Sequence, residues 1–363
     1  MRSTDTLMEN SQFNKYRDMP ESLLIDGIRK RKEALGKDLL ILVHHYQKPE
    51  VVRFADLVGD SLELARKAAE NKYARYIVFC GVHFMAECAR ILCDPSQIVL
   101  LPDLEAGCPL ADSAHIDQVE EVWDSLVNIC PDELIVPVTY VNSDAELKAF
   151  TGKNGGSVCT SSNAGVVLDW AMQKGQKVFF FPDEHLGRNT ARDKSLAGQD
   201  VIVWDPELDF GGNTEDAVRR AKVILWNGFC HVHTRFKPEH VKSVRQKDPE
   251  ARIVVHPECP EEVVKLSDAS GSTSFIVKYV HDAPAGSRIV IGTEINLVKR
   301  LSDEMTNKTV YELTRSLCPN MFKIGLDDLL YTLDFAGEVN VIDVDSEIQD
   351  YSKIALERML QLR

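Results

Sequence analysis

Residues 41–47 read ILVHHYQ, a β-branched apolar run that ends in His44 and Tyr46. The same pattern of an apolar run followed by polar residues recurs as VPVTYVNSD at residues 136–144 and as IVVHPEC at residues 253–259. Continuous apolar runs of this length are typical of strands buried on both faces of a parallel sheet. The polar residues after each run would then lie at the carboxyl ends of strands, where α/β sheets bind their ligands.

Each of these stretches opens a unit with the same order of features. A turn rich in Ser or Thr follows, then a second apolar run that ends in a Gly- or Pro-marked turn, and last a cysteine. The closing cysteines are Cys108, Cys230 and Cys318. Three like units could therefore meet around a pseudo-threefold axis, where three thiolates would hold a metal cluster with one coordination position open.

Segments with helical periodicity lie between the apolar runs. The predicted strands are residues 39–43, 76–80, 98–101, 134–138, 177–181, 200–204, 252–255 and 288–292. The predicted helices are residues 20–36, 61–70, 83–92, 144–150, 163–174, 215–226, 294–302 and the amphipathic tail 344–363. This alternation indicates parallel sheets covered by helices, with right-handed crossovers.

Length and composition set limits on the kind of protein. A chain of 363 residues exceeds what one hydrophobic core usually supports, so two or three domains are expected. The net charge of −14 argues against a nucleic-acid surface, although it allows a local anion site. Residues 1–18 are polar and lack an apolar signal core, and no run approaches the length of a membrane span. We therefore expect a cytoplasmic protein that binds neither membrane nor nucleic acid.

The nine cysteines are odd in number, widely spaced and free of any CxxC pair, which does not suit a disulfide framework. Cys108, Cys230 and Cys318 are interpreted as ligands of an iron–sulfur cluster because of their equivalent positions in the repeat. Three unrelated buried thiols remain the alternative, and a zinc site is a weaker one because its ligands usually come in close pairs. The other cysteines are expected to be small buried residues, and they are Cys80, Cys88, Cys93, Cys130, Cys159 and Cys259.

His256 and Glu258 lie two residues apart at a predicted strand end and could share general acid and base roles. A surface loop with a helix-starting Pro–Glu is the alternative. Tyr46 could relay a proton and His44 could orient a carboxylate, but either could instead be a satisfied loop or core residue. His233 is a possible contact near Cys230, and His231 is expected to be exposed.

The Ser- and Thr-bearing turns contain Ser61, Ser161 and Thr273, each just before a predicted helix. Hydroxyls and free N–H groups at helix starts bind anions, so these turns could form a pocket for phosphate or carboxylates. Tyr140 and Asn142 would add donors at the same level. A single turn of this kind is usually only a helix cap.

Together these motifs resemble the quinolinate synthase family of bacterial NAD biosynthesis, in the longer form of Bacillus-type bacteria. The resemblance rests on HHYQ, VGDS, GVHFMAE, YVNSD, CTSSNA, PDEHLG, NGFCHVHTRF, HPECPEEV, GSTS, IGTEIN and CPNM, which span residues 39–322. It implies an α/β fold of three αβα domains with short parallel sheets, arranged with pseudo-threefold symmetry around a central cluster site. The corresponding segments are a helical lead at 1–37, domains at 38–125, 126–213 and 214–335, and a helical tail at 336–363 that packs on the core.

The resemblance also implies an activity. Iminoaspartate (iminosuccinate) would condense with dihydroxyacetone phosphate to give quinolinate, phosphate and water. A [4Fe–4S] cluster on Cys108, Cys230 and Cys318 would use its open iron as a Lewis acid. Tyr46 and Glu258, with His256, would move protons. The substrate contacts would be His44, Ser61, Tyr140, Asn142, Ser161, His256, Glu258 and Thr273, and an L-aspartate oxidase would be a functional partner.

Three other functions remain open. An aconitase-like hydro-lyase would use the same kind of open cluster on a different acid. An iron–sulfur redox sensor would need a basic DNA-reading face or a partner surface, which the charge does not suggest. A protein without metal would simply contain three unremarkable thiols.

Overall fold

The computed structural model describes residues 13–362. Residues 1–12, where the predicted N-terminal lead begins, lie outside the described residues, as does residue 363 at the end of the predicted tail. The chain divides into two compact units. Residues 13–107 and Pro319–Asp343 form the first, and Cys108–Cys318 with residues 344–362 forms the second.

Short strands alternate with helices along the described chain. The strands are β1 (Leu39–His44), β2 (Leu57–Gly59), β3 (Tyr76–Cys80), β4 (Ile98–Leu100), β5 (Ile135–Tyr140), β6 (Ser157–Cys159), β7 (Lys177–Phe181), β8 (Val201–Trp204), β9 (Val223–Trp226), β10 (Arg252–Val255), β11 (Ala269–Ser270), β12 (Arg288–Gly292) and β13 (Thr309–Glu312).

The principal helices are α1 (Glu21–Leu35), α2 (Pro49–Val52), α3 (Ser61–Glu70), α4 (His83–Leu92), α5 (Ile116–Ile129), α6 (Ala145–Lys153), α7 (Ala164–Lys174), α8 (Glu184–Asp193), α9 (Glu215–Arg220), α10 (Pro238–Lys247), α11 (Glu261–Leu266), α12 (Thr273–Asp282), α13 (Ile295–Glu304), α14 (Leu326–Asp334) and α15 (Ser346–Gln361). None of the described helices is both long enough and apolar enough to cross a membrane.

The first unit contains one parallel sheet in the order β2-β1-β3-β4. Its central strand β1 is buried along its whole length, as the continuous apolar run predicts. Helix α3 places Leu64, Ala65 and Ala68 in the core, at the i, i+1 and i+4 positions of an amphipathic helix. Helices α1 and α14 pack against each other in the same unit.

The second unit contains two parallel sheets, in the orders β6-β5-β7-β9-β8 and β11-β10-β12-β13. We call these the middle and the third sheet. The prediction of an α/β protein with three short parallel sheets is confirmed, whereas the pseudo-threefold arrangement stays a prediction. Helix α15 packs on α6 and β6 of the same unit, and its Ser352 Oγ donates to the carbonyl oxygen of Ala145 at 2.7 Å.

The predicted helix over residues 215–226 is wrong in its second half. Helix α9 ends at Arg220, and residues 223–226 form β9, which pairs with β7 and β8. The VILW run is short, apolar and fully buried, and periodicity cannot distinguish a buried strand from a buried helical turn over four residues. Strand β9 therefore belongs to the middle sheet, although the predicted boundary at 213/214 assigns it to the following domain. The domain boundaries themselves stay a prediction.

Candidate active site

In the first unit, the predicted residues His44, Tyr46 and Ser61 lie at the carboxyl edge of one sheet. His44 ends β1 and pairs in register with Gly59 of β2. The backbone N–H of Tyr46 donates to His44 Nδ1 at 3.2 Å, and the two rings meet edge to face with their centroids 4.7 Å apart. Ser61 is the first residue of α3, directly after the capping residue Asp60. The strand register therefore brings the HHYQ and VGDS motifs together.

The middle sheet places its predicted residues in the same way. Tyr140 ends β5 beside Cys159, the last residue of β6, so Tyr140, Asn142 and Ser161 follow the carboxyl ends of neighbouring strands. Asn142 Oδ1 is buried and finds no hydrogen-bond partner among the described residues. Ser161 is half-buried in the turn before α7. An unpartnered buried amide oxygen is suited to receive a donor from a ligand.

The third sheet repeats the arrangement a second time within the same unit. The turn at residues 256–259 follows β10, with the N–H of His256 donating to the carbonyl oxygen of Gly292 at 3.1 Å. His256 and Glu258 are buried at 3% and 2% exposure. Thr273 is the buried first residue of α12. The predicted side chains of this sheet therefore also lie at its carboxyl edge.

Glu258 joins the carboxyl edges of the middle and third sheets. Its Oε1 accepts a hydrogen bond from the hydroxyl of Tyr140, and its Oε2 lies 2.8 Å from His233 Nδ1. His256 Nδ1 is 3.8 Å from Oε1. Burial opposes the negative charge of Glu258, but the two histidines and the hydrogen bonds from His233 and Tyr140 outweigh it and lower the pKa of this carboxyl to about 2. Glu258 is thus a buried, ionised group held in a defined orientation.

His233 was named in the sequence only as a possible contact, and the structure makes it central. Its Nε2 lies 3.0 Å from the hydroxyl of Thr293, while Nδ1 faces Glu258. Its ring stacks on that of His256 with centroids 4.3 Å apart. In the sequence, only its position three residues after Cys230 pointed to a functional role for His233. His231, expected to be exposed, is half-buried, and its Nε2 has no partner among the described residues.

The three predicted cluster cysteines differ from the other six in exposure. Cys108, Cys230 and Cys318 are partly exposed, whereas the remaining thiols are buried. All three lie outside regular strands and helices, in the second unit. The interpretation of the remaining cysteines as small buried residues is consistent with their placement.

The three partly exposed thiols are close enough to oppose one another's ionisation. Burial raises the pKa of the Cys108 thiol to about 12, and the charge of Cys318 adds to this shift. The pKa of Cys230 is also raised, by burial and then by the charges of Glu258 and Cys108. Thiols in such a group become thiolates together only when a cation offsets their repulsion, so this donor set fits a metal or metal cluster. The backbone N–H of Cys318 donates a hydrogen bond to Oε1 of Glu294 at 3.5 Å.

A second possible ligand set overlaps this one. Cys230 Sγ, a ring nitrogen of His233 and a carboxylate oxygen of Glu258 all lie within 4.8 Å of one another. A single metal ion could be held there, but two of these groups already bond to each other. The two sets share only Cys230 and are therefore separable by mutation.

Asp183 is a further residue of this region that the sequence analysis did not select. It is fully buried after β7, and its Oδ1 caps α8 by accepting from the N–H of Leu186 at 2.7 Å. Its Oδ2 has no hydrogen-bond partner among the described residues. Burial raises the pKa of Asp183, and the charge of Glu258 adds to the shift. In the sequence, Asp183 could have been found from its place in PDEHLG, the motif that follows β7 of the middle sheet.

Comparison with known proteins identifies a single family. The family model described as quinolinate synthetase A protein matches residues 26–361. A quinolinate synthase of Nocardioides is 50% identical over 95% of this chain and 91% of its own length. One from Rhodopirellula baltica is 47% identical over 96% of this chain and 93% of its own. A quinolinate synthase of Listeria monocytogenes is 45% identical and aligns over the full length of both proteins.

Proposed function

The chain belongs to the quinolinate synthetase A protein family, and on this premise we propose that it condenses iminoaspartate with dihydroxyacetone phosphate to quinolinate, phosphate and water. The single observation that carries the proposal is the buried Tyr140–Glu258–His233 network in the same unit as three mutually interacting thiols. The condensation needs both a proton-transfer group and a Lewis acid for its dehydration steps. The reaction would serve NAD biosynthesis.

Substrate binding would use the strand-end residues. Both substrates are anions, and Ser61 and Thr273 are the first residues of α3 and α12, where free N–H groups and the positive end of the helix dipole favour negative charge. His44, His256, Asn142 and Ser161 would add hydrogen-bonding groups. Holding two reactants side by side supplies much of the acceleration of a condensation.

Proton transfer would centre on Glu258. An ionised carboxylate with a pKa of about 2 is a weak base in the free protein. A dianionic substrate nearby would raise that pKa and enable Glu258 to accept a proton from carbon or nitrogen. Tyr140, already bonded to Glu258, would shuttle the proton, and His256 would orient the substrate carboxylate. Tyr46 stays our prediction for a further proton-transfer group.

Cys108, Cys230 and Cys318 would hold the cofactor, for which we propose a [4Fe–4S] cluster. When bound by three thiolates, such a cluster supplies one open iron as a Lewis acid for a substrate hydroxyl or carboxylate. Glu294 would keep the Cys318 backbone in place for this coordination.

The test begins with anaerobic purification of the wild-type protein and of Cys230→Ala, followed by iron, sulfide and absorption measurements. We expect about four irons per chain and a shoulder at about 400 nm in the wild type, both lost in the variant. The wild type should then form quinolinate from the two substrates. An iron-free protein after reconstitution, or a cluster-loaded protein that forms no quinolinate, would refute the proposal.

Product analysis in the same assay also separates the hydro-lyase alternative, which would hydrate or dehydrate a single acid without joining two substrates. A cytoplasmic location and functional coupling to an L-aspartate oxidase remain predictions. We predict the coupling because an imine of this kind hydrolyses readily in water, and oxidation of the corresponding amino acid would supply it where it is used.

A further inference from the structure

The turn at residues 256–259 carries both His256 and Glu258, and two of its carbonyl groups are bonded by a side chain from outside the third sheet. The N–H of Cys259 donates to the carbonyl oxygen of His256 at 3.0 Å, which closes a tight turn. The two carbonyl groups are those of Pro257 and Cys259, the residues before and after Glu258. A buried carbonyl must find a donor elsewhere.

Asn189 supplies both donors. This residue lies on α8 of the middle sheet, and its amide nitrogen donates to the carbonyl oxygen of Pro257 at 2.8 Å and to that of Cys259 at 2.9 Å. The two hydrogens of one amide group therefore bond to the carbonyl oxygens of the two residues that flank Glu258. Asn189 is itself buried at 2% exposure, and Arg192 donates to its Oδ1 at 3.1 Å, which fixes the orientation of the amide.

We call the two hydrogen bonds from Asn189 to Pro257 and Cys259 the clamp. The clamp connects the two elements that build the Glu258 network. Helix α8 follows β7 of the middle sheet, whose neighbour β5 presents Tyr140. The turn belongs to the third sheet and presents Glu258. By holding the carbonyl groups of the residues before and after Glu258, Asn189 fixes the backbone that carries Glu258 and so orients its carboxylate relative to Tyr140.

We infer that Asn189 is a positioning residue for the proton-transfer chemistry, acting through the backbone of residues 257–259. This inference rests on the proposed function and adds to it a residue that bonds to the backbone beside Glu258. A displacement of about 1 Å in a reacting group can cost about 100-fold in rate. Because the clamp orients a group and does not bind substrate, its loss should lower kcat and leave KM little changed.

The experiment compares Asn189→Ala and Asn189→Gln with a matched control, Asn213→Ala. Asn213 also bonds backbone carbonyls through its amide nitrogen, to Val203 at 2.7 Å and Gly211 at 2.9 Å, in the loop before α9. Rates are normalised to folded protein and to iron per chain. We expect Asn189→Ala to lower kcat by about 10- to 100-fold with little change in KM or iron content. Asn189→Gln keeps both donors and should recover part of the loss, and Asn213→Ala should keep the wild-type kcat.

An unchanged kcat in Asn189→Ala, or an equal loss in Asn189→Ala and Asn213→Ala, would overturn the inference. If Asn189→Ala does not fold, Asn189→Leu decides, because it keeps most of the side-chain volume but lacks both donors: a lowered kcat in the folded variant supports the role, and a wild-type kcat refutes it. A wild type that forms no quinolinate would overturn the proposed function and this inference together, whereas an active wild type with an insensitive Asn189 removes only the inference.

Discussion

The hydroxyl of Tyr140 donates a hydrogen bond to the carboxylate of Glu258, a residue 118 positions further along the chain. Each lies at the carboxyl end of a different sheet of the second unit. Both side chains are buried, so the bond is not weakened by competition with water. The bond joins two strand ends, which the repeat presents separately, into one hydrogen-bonded pair, for which we propose proton transfer.

Removing this bond should slow turnover without emptying the cofactor site. Tyr140→Phe deletes only the hydroxyl and leaves Glu258 with one strong donor fewer. A hydrogen bond to a charged group is worth about 1.5–3 kcal/mol, so we expect kcat to fall by about 10- to 100-fold. Steady-state quinolinate formation measures this, beside Tyr279→Phe on α12 as control. Equal kcat in the two variants would show that the bond is not used in turnover.

Changing the carboxylate itself should have a larger effect. Glu258→Gln keeps the size of the side chain and can still accept from Tyr140, but it cannot take up a proton. General acid–base catalysis contributes about 10²- to 10⁴-fold, and kcat should fall by that amount while the cluster absorption stays as in the wild type. Glu262→Gln, an exposed position of α11, is the matched control. Near-normal turnover in Glu258→Gln would exclude the proposed base.

Mutation of single ligands distinguishes the two possible metal sites. For a cluster on three thiolates, Cys108→Ala and Cys318→Ala should lose iron and colour, whereas Cys88→Ala and His233→Ala should retain both. For a single ion on Cys230, His233 and Glu258, the pattern reverses, with metal lost in His233→Ala and kept in Cys108→Ala. Metal and sulfide analysis of anaerobically purified variants gives the answer, and Cys88 serves as the buried-thiol control.

Much of this site follows from local sequence, because each strand end has its own signature. The runs at β1, β5 and β10 predicted which residues reach the carboxyl edges, and the register of neighbouring strands confirms that His44 and Ser61 share one edge. The short strands β2, β6 and β11 were missed because two or three residues carry no periodicity.

The bond between Tyr140 and Glu258 could not be predicted in the same way. It depends on how the middle and third sheets pack within the second unit, and no local pattern encodes that distance. The role of Asn189 could not be predicted for a related reason, since its partners are backbone carbonyls that any sequence would provide. Side chains that act through tertiary backbone contacts leave little trace in spacing or composition.

The stability of the first unit should depend on pH through Asp328. Burial raises the pKa of this carboxyl to about 7, and the charges of Asp327 and Asp103 add to the shift. The folded protein therefore binds this proton more tightly than the unfolded chain. Protonated Asp328 therefore stabilises the folded state. This stabilisation is fully present below about pH 4 and is lost as the pH rises through 7, and the free energy of unfolding falls by at most about 4 kcal/mol.

Asp328→Asn removes that loss, because the amide carries no charge and its oxygen can still accept from the N–H of Gly325, a bond of 2.6 Å in the wild type. Between pH 5 and pH 8, the thermal unfolding midpoint of the wild type should fall further than that of the variant. Asp26→Asn on the exposed face of α1 should follow the wild type. Parallel curves for wild type and Asp328→Asn would mean that Asp328 does not titrate in this range, and calorimetry at the two pH values is sufficient to decide.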